Sequence, residues 1–294
     1  MKKMTTKLLM LILLATAVSL PLTGSTALAQ KLRTNSKILY HDGAVLAGTR
    51  SVYLIWYGCW DGCVPGSNRD TQMILIDFLT NLGGSPYGMI NTTYPNAIGS
   101  TPSGTYVYAA SVSDAYSRGP SLTESDVEGI VTQQFQTGGL PLDPAGIFVV
   151  LASSDVHATG FCSDTCKFHR NFEFIGTTVP YAFIGNPMRC PSACAAQFSG
   201  VASPNSNVAA DATASWLAAV LSEVSTNPLG TGWYDRYGLE NAEKCEGTFG
   251  QTYTTSNGAK ANMKLGSRDY LIQQNWERTP RLLWALLSVS SEEQ

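Results

Sequence analysis

The run Ile147-Phe148-Val149-Val150-Leu151-Ala152, followed directly by Ser153-Ser154-Asp155-Val156-His157-Ala158-Thr159-Gly160-Phe161-Cys162-Ser163-Asp164-Thr165-Cys166-Lys167-Phe168-His169, decides how this chain folds. Its first part is the most apolar strand signal of the chain, and a short continuous apolar run reads as a strand buried on both faces. The second part gathers two cysteines, two aspartates and two of the three histidines directly behind that strand. A strand end that leads into an irregular, cross-linked or metal-bound loop holds polar groups at one edge of a sheet, so chemistry is sought here first. Another short strand, Tyr181 to Gly185, and another cysteine pair, Cys190 and Cys194, follow.

Upstream, Val52 to Tyr57 is continuously apolar and β-branched or aromatic, a second buried strand. From Ser67 the period becomes helical, with Ile74, Leu75, Phe78, Leu79 and Leu82 on one face and Gly83-Gly84 as the stop. Residues 85–104 are rich in Pro, Gly, Asn, Ser and Thr and read as a surface loop, in which Asn91-Thr92-Thr93 is a glycosylation acceptor in a eukaryotic host. Thr105 to Val112 is a strand. A helix follows, with capping-box spacing at Ser121-Leu122-Thr123-Glu124 and Val127, Ile130, Val131 and Phe135 on one face.

Downstream, Val208 to Val224 is nearly all apolar or small and predicts a buried helix that stops at Thr226-Asn227-Pro228. At 100° per residue, Asp211, Ser215 and Ser222 fall within about 40° of one another, and Glu223 lies off that stripe. The last segment, Tyr270 to Val289, carries the apolar run Leu282 to Leu287, either a closing strand or a last helix. Strands alternating with helices predict an α/β fold: a layered mixed sheet with flanking helices, in one domain over residues 30–294.

Lys2, Lys3 and Lys7 before an apolar stretch from Leu8 to Leu20, then Pro21 and Ala27-Leu28-Ala29, spell a secretory signal peptide over residues 1–29. Its loss moves the formal charge from −3 to −6, because three lysines leave and no acid does. A mildly acidic chain without a basic cluster excludes nucleic acid as a partner, and no later stretch is long enough for a membrane span. Secretion makes the seven cysteines disulfide material. The equal spacings predict local bridges, Cys59 with Cys63, Cys162 with Cys166 and Cys190 with Cys194, and leave Cys245 free.

Each candidate for chemistry has a structural alternative. His157, Cys162, Cys166 and His169 are competent zinc ligands over a short span, but export favours oxidised cysteines over thiolate ligands. Asp155 lies near two histidines, yet no Gly-x-Ser-x-Gly elbow marks a nucleophile. Asp155 and Asp211 are carboxylates of the type a glycosidase pairs, although an aspartate at a strand end or helix start more often caps backbone amides. For Asp155 and His169 the expectation is therefore a structural role. His41, in a turn, reads the same way. Trp60 and Trp233, on loops, are either a sugar-stacking surface or anchors.

Several stretches, in order, resemble the EXORDIUM or phosphate-induced protein family. They include Tyr40-His41 with Gly43, Tyr53-Leu54-Ile55-Trp56-Tyr57-Gly58, Ser153-Ser154-Asp155-Val156, Gly160-Phe161-Cys162 with Cys166 and His169, Tyr181 to Asn186, Cys190-Pro191 with Cys194, Pro204-Asn205 with Asp211, Thr226-Asn227-Pro228, and Cys245 with Gly247. The resemblance implies a secreted apoplastic or cell-surface protein linked to growth, a non-catalytic binding or signalling protein whose partner is cell-wall carbohydrate or an extracellular protein. The pair Cys59 and Cys63 is an addition to the family pattern. The stretch from residue 208 to Cys245 is also similar to the segment around the active-site helix of secreted zinc peptidases, which makes a zincin-like arrangement one option for the fold and a secreted hydrolase, peptidase or carbohydrate-active, the rival function. That alignment puts the ligand and base positions at Ala219 and Val220 and leaves Glu223 alone, so no cofactor is expected and zinc is the one to test for.

Overall fold

The computed structural model describes residues 36–278 and 288–289. Residues 1–29, where a signal peptide is expected, and the run Leu282 to Leu287 lie outside the described residues. The described elements are β1 (Ile38–Tyr40), β2 (Gly48–Tyr57), α1 (Arg69–Leu82), β3 (Pro102–Asp114), α2 (Glu124–Thr137), β4 (Gly146–Ala152), β5 (Lys167–Phe174), β6 (Thr177–Ile184), α3 (Val208–Thr226) and β7 (Trp233–Asp235), with shorter turns and bridges between them. This is a mixed α/β protein in a single domain.

One five-stranded sheet, in the order β3-β2-β4-β6-β5, organises the rest. β3, β2, β4 and β6 are parallel, and β5 runs antiparallel to β6 at the edge. The central strand β4 is buried along its whole length, as its apolar run predicts. Each of its large side chains withdrawn from water stabilises the fold by about 1.5–3 kcal/mol. From β2 the chain steps outward to β3 and then back across β2 to β4, so right-handed crossovers put α1 and α2 on opposite faces. α3 packs against α1 and against β5 and β6, which places it on the α1 side.

α3 is buried on every side from Ala209 to Thr226, and its alanines let neighbours approach closely. Its polar groups are answered one by one. Asn207 caps the first turn through Ala210 N, Ser215 Oγ accepts from Gln273 N at 3.0 Å, and Ser222 Oγ accepts from Asn91 Nδ2 at 3.3 Å.

Three local expectations change. The antiparallel strand β5 replaces part of the irregular loop expected before Tyr181; it turns into β6 through Ile175 and Gly176, both at positive φ, as a two-residue hairpin turn requires. Residues 85–94 are not a surface loop, because Tyr87, Ile90, Asn91 and Tyr94 are sealed in the core, whereas the turn around Ala97, Ile98 and Gly99 does lie at the surface. Asn91 is no accessible glycosylation acceptor in this fold, being spent on Tyr106, Ser222 and Asn241. The cap of α2 is Thr123 with Asp126 rather than Ser121 with Glu124, two residues later in the same spacing.

Candidate functional site

The hairpin decides the cysteine chemistry. By joining Cys166 to Gly185 across the ladder, it sets the loop before β5 beside the short helix after β6. The bridges are therefore Cys162–Cys190 and Cys166–Cys194, each 28 residues apart, and not the local pairs expected from spacing. Cys59–Cys63 is the one local bridge that matches, and Cys245 is free and buried, as expected. With Cys162 and Cys166 oxidised, the zinc set that included them has no thiolates to offer. His157 is exposed on a two-residue bridge strand and does not join His169.

The strand-end motif at Ser153 to Asp155 ties two strand ends together. Ser153 Oγ accepts from Cys59 N at 3.0 Å and donates to Asp155, whose other oxygen accepts from Tyr116 Oη. Burial opposes ionisation of Asp155, but the bonds from Ser153 and Tyr116 hold its carboxyl below the usual carboxylate range. Gly58, at φ 99°, is required here, because a Cβ would lie 2.0 Å from Ser153 Oγ. Asp211 is buried in the first turn of α3 and accepts from Asn205 N at 2.8 Å and Asn205 Nδ2 at 2.6 Å. Asp155 and Asp211 thus serve separate networks. Trp60 and Trp233 are both buried, and their indoles donate to the carbonyls of Tyr57 and Pro95, so they anchor loops and offer no exposed stacking surface.

His169 and Glu223 are brought together, with two partners the sequence reading did not single out as site residues, Lys167 and Glu240. β5 alternates its side chains, so Lys167 and His169 share the face turned toward α3 and the segment after it. The Lys167 ammonium donates to both oxygens of Glu223, and the two side chains are 6% and 1% exposed. His169 Nε2 lies 2.8 Å from Glu240 Oε2; a carboxylate oxygen only accepts, so this nitrogen carries the proton. Asn227 Nδ2 donates to the other Glu240 oxygen, Asn227 Oδ1 accepts from Gly232 N, and Glu243 accepts from Glu240 N at 2.9 Å.

Burial alone would lower the Lys167 pKa, but the attraction of Glu223, then of Glu243 and Glu240, carries it above its ordinary value. Burial pushes the Glu223 carboxyl well up, and Lys167 pulls it back. These pulls disagree about the charge of the pair, and the ammonium decides it: with Nζ on both oxygens, a neutral glutamic acid would leave a buried cation beside a group that no longer answers it. Glu240 is opposed by burial yet held below its usual range by His169, Asn227 and Lys167.

Above this cluster lies a cleft of about 350 Å³ between β5 and the turn after α3. His169, Asn171, Asn227, Leu229, Tyr234, Glu240 and Glu243 line it. The Tyr234 ring stacks flat on His41, with centroids 3.6 Å apart, which gives that histidine a packing role.

Ala219 and Val220, where the peptidase alignment needs a ligand and a base, are methyl and isopropyl groups sealed in the core. The residues present do not fit that kind of zinc centre.

Fold and cleft together define a disulfide-braced α/β protein with a polar cleft beside its antiparallel edge strand. The chain belongs to the family described as phosphate-induced protein 1 conserved region, whose model matches residues 38–279. Among its relatives, Protein EXORDIUM-like 3 of Arabidopsis thaliana is 31% identical over 278 residues, covering 82% of this chain and 80% of that one. Protein EXORDIUM of Arabidopsis thaliana is 29% identical, covering 72% and 74%. Protein PHOSPHATE-INDUCED 1 of Nicotiana tabacum is 29% identical, covering 76% of each chain. No solved structure matches it. Disulfides and family agree with an extracellular protein, and no helix among the described residues is long and apolar enough to cross a membrane.

Proposed function

We propose that this is a secreted, non-catalytic binding protein of the EXORDIUM type, with residues 1–29 as its export signal, a role in cell growth, and the cleft beside β5 as its ligand site. One observation carries the non-catalytic reading. The positions that would do peptidase chemistry hold Ala219 and Val220, and the carboxylate next to them, Glu223, is neutralised by Lys167. Hydrolysis needs a base free to take a proton from water, and a carboxylate clamped by an ammonium out of solvent is not one.

The cleft suits cell-wall carbohydrate. Sugars are recognised by a ring face together with planar acceptors, and here Tyr234, braced from behind by His41, stands with Asn171, Glu240 and Glu243. Calorimetric titration of the mature protein with soluble cell-wall oligosaccharides tests this. Binding should weaken by roughly tenfold in Tyr234→Ala and Glu243→Gln, about the loss of one good contact. Binding to no oligosaccharide, or binding indifferent to both substitutions, would overturn the ligand class. Cleavage of casein or of the oligosaccharides would overturn the non-catalytic reading.

A further inference from the structure

His169, Glu223 and Glu240 each offer a ligand atom, and these atoms lie within 4.8 Å of one another. They arrive from three separate places: β5, the last turns of α3 and the segment after β7. One imidazole and two carboxylates converging in a nearly dry site form the kind of donor set that holds a divalent ion. Glu243 adds a third carboxylate close enough to act on both Glu223 and Lys167. Two buried carboxylates, Glu223 and Glu240, with half-buried Glu243 beside them, are not tolerated without a cation among them.

The cation is part of the chain. Lys167 enters two residues before His169 on the same face of β5 and sets its ammonium on both oxygens of Glu223, one of the three ligands. We propose that the Lys167 ammonium is a built-in replacement for a divalent metal ion, supplying the positive charge this donor set needs and excluding metal from it. An ammonium differs from a metal ion in what it permits. It brings three donors and one charge, it has no open coordination position, and it neither acidifies a bound water nor polarises a carbonyl as a Lewis acid does. The centre therefore holds β5 against α3 and forms the floor of the cleft without being reactive. This holds whatever ligand the cleft takes.

A metal titration of the purified mature protein tests it. Wild type, Lys167→Met and Lys167→Met/His169→Ala are stripped with a chelator, then titrated with Zn2+ and Co2+. Thermal unfolding, the visible absorption of bound Co2+ and metal stoichiometry after dialysis are the readouts. Lys167→Met should take up one equivalent and unfold at a higher temperature with metal than without. Wild type should do neither, and loss of His169, one of the three ligands, should weaken uptake by more than the roughly 10- to 100-fold that losing an outer-shell support costs. Metal uptake by wild type equal to that of Lys167→Met overturns the proposal, as does a folded Lys167→Met that binds none. Should Lys167→Met fold only when Zn2+ is present during refolding, the proposal is supported. Should it fold under neither condition while Lys167→Met/Glu223→Gln folds, the proposal is overturned, because Zn2+ then cannot take the place of the missing ammonium.

Discussion

Lys167 and Lys244 are both sealed from water and both meet a carboxylate, yet they are driven in opposite directions. Lys244 Nζ lies 3.1 Å from Asp235 Oδ2, 3.2 Å from Ser36 Oγ and 5.0 Å from the centre of the Trp276 ring. Burial prevails there, and its pKa falls below the ordinary value in spite of Asp235. At Lys167 the carboxylates prevail over burial. The difference separates a structural ion pair from a centre with surplus negative charge. Asp235 is also held by the backbone N–H groups of Tyr237 and Leu239, whereas Glu223 has given both oxygens to the ammonium.

The comparison is sharpened most by removing each cation. Lys167→Met leaves Glu223 buried without its partner and should cost about 3–5 kcal/mol in urea unfolding. Lys167→Met/Glu223→Leu, which replaces the pair with apolar groups, should recover most of that loss. Lys244→Met should cost less, about 1–3 kcal/mol, since Asp235 keeps its backbone donors. Equal losses at the two lysines would erase the distinction.

The bridge Cys166–Cys194 anchors the residue next to Lys167, so it bears on the same strand end. Replacing both cysteines by serine should cost roughly 3–4 kcal/mol through the freed 28-residue loop. Lys167→Met should then cost less in that background than in wild type. Non-reducing peptide mapping that recovered Cys162–Cys166 and Cys190–Cys194 would remove the basis for this coupling.

Away from both lysines, Asp155→Asn should lose about 1–2 kcal/mol and lower secretion, because Ser153 and Tyr116 donate to its carboxylate at a strand junction. Normal stability and export with lost biological activity would instead make it a site residue.

The smallest expected effect is in alkali. The raised pKa of Lys167 adds stability that is complete below the unfolded value of about 10.4 and lost as pH rises through the folded one. The lowered pKa of Lys244 has the opposite sign, so its contribution improves as pH approaches about 10.4. Melting temperatures taken above that pH should fall more steeply in wild type than in Lys167→Met, and a parallel fall would contradict the assignment.

Much of the sheet was legible because burial on two faces writes itself as unbroken apolar runs, as in Val52 to Tyr57 and Ile147 to Ala152. α1 was legible from its period and stop, and α3 from its nearly unbroken run of apolar and small residues ending at Thr226-Asn227-Pro228. β5 was not. Lys-Phe-His-Arg-Asn-Phe-Glu-Phe carries charge on both faces, and what makes Lys167 a buried residue is Glu223, 56 positions away. Missing that hairpin also misplaced two disulfides, since spacing alone cannot show which loops a ladder brings together. His169 and Glu223 stood out as titratable residues in informative stretches. Glu240 did not, because it sits in a turn-rich segment whose only cue was its place after the peptidase-like turn. Tyr87, Asn91 and Tyr94 show the same limit: a Pro-, Gly- and Asn-rich composition marks turns, and turns can be core.

The central claim is that an ammonium, and not a metal ion, holds the centre under the cleft. Crystals of the wild-type mature protein soaked in zinc and measured at the zinc absorption edge test it directly. The account predicts no anomalous peak within bonding distance of Glu223, Glu240 or His169, with the Lys167 ammonium lying between the two Glu223 oxygens. An anomalous peak at that position, with Lys167 swung away, would contradict it.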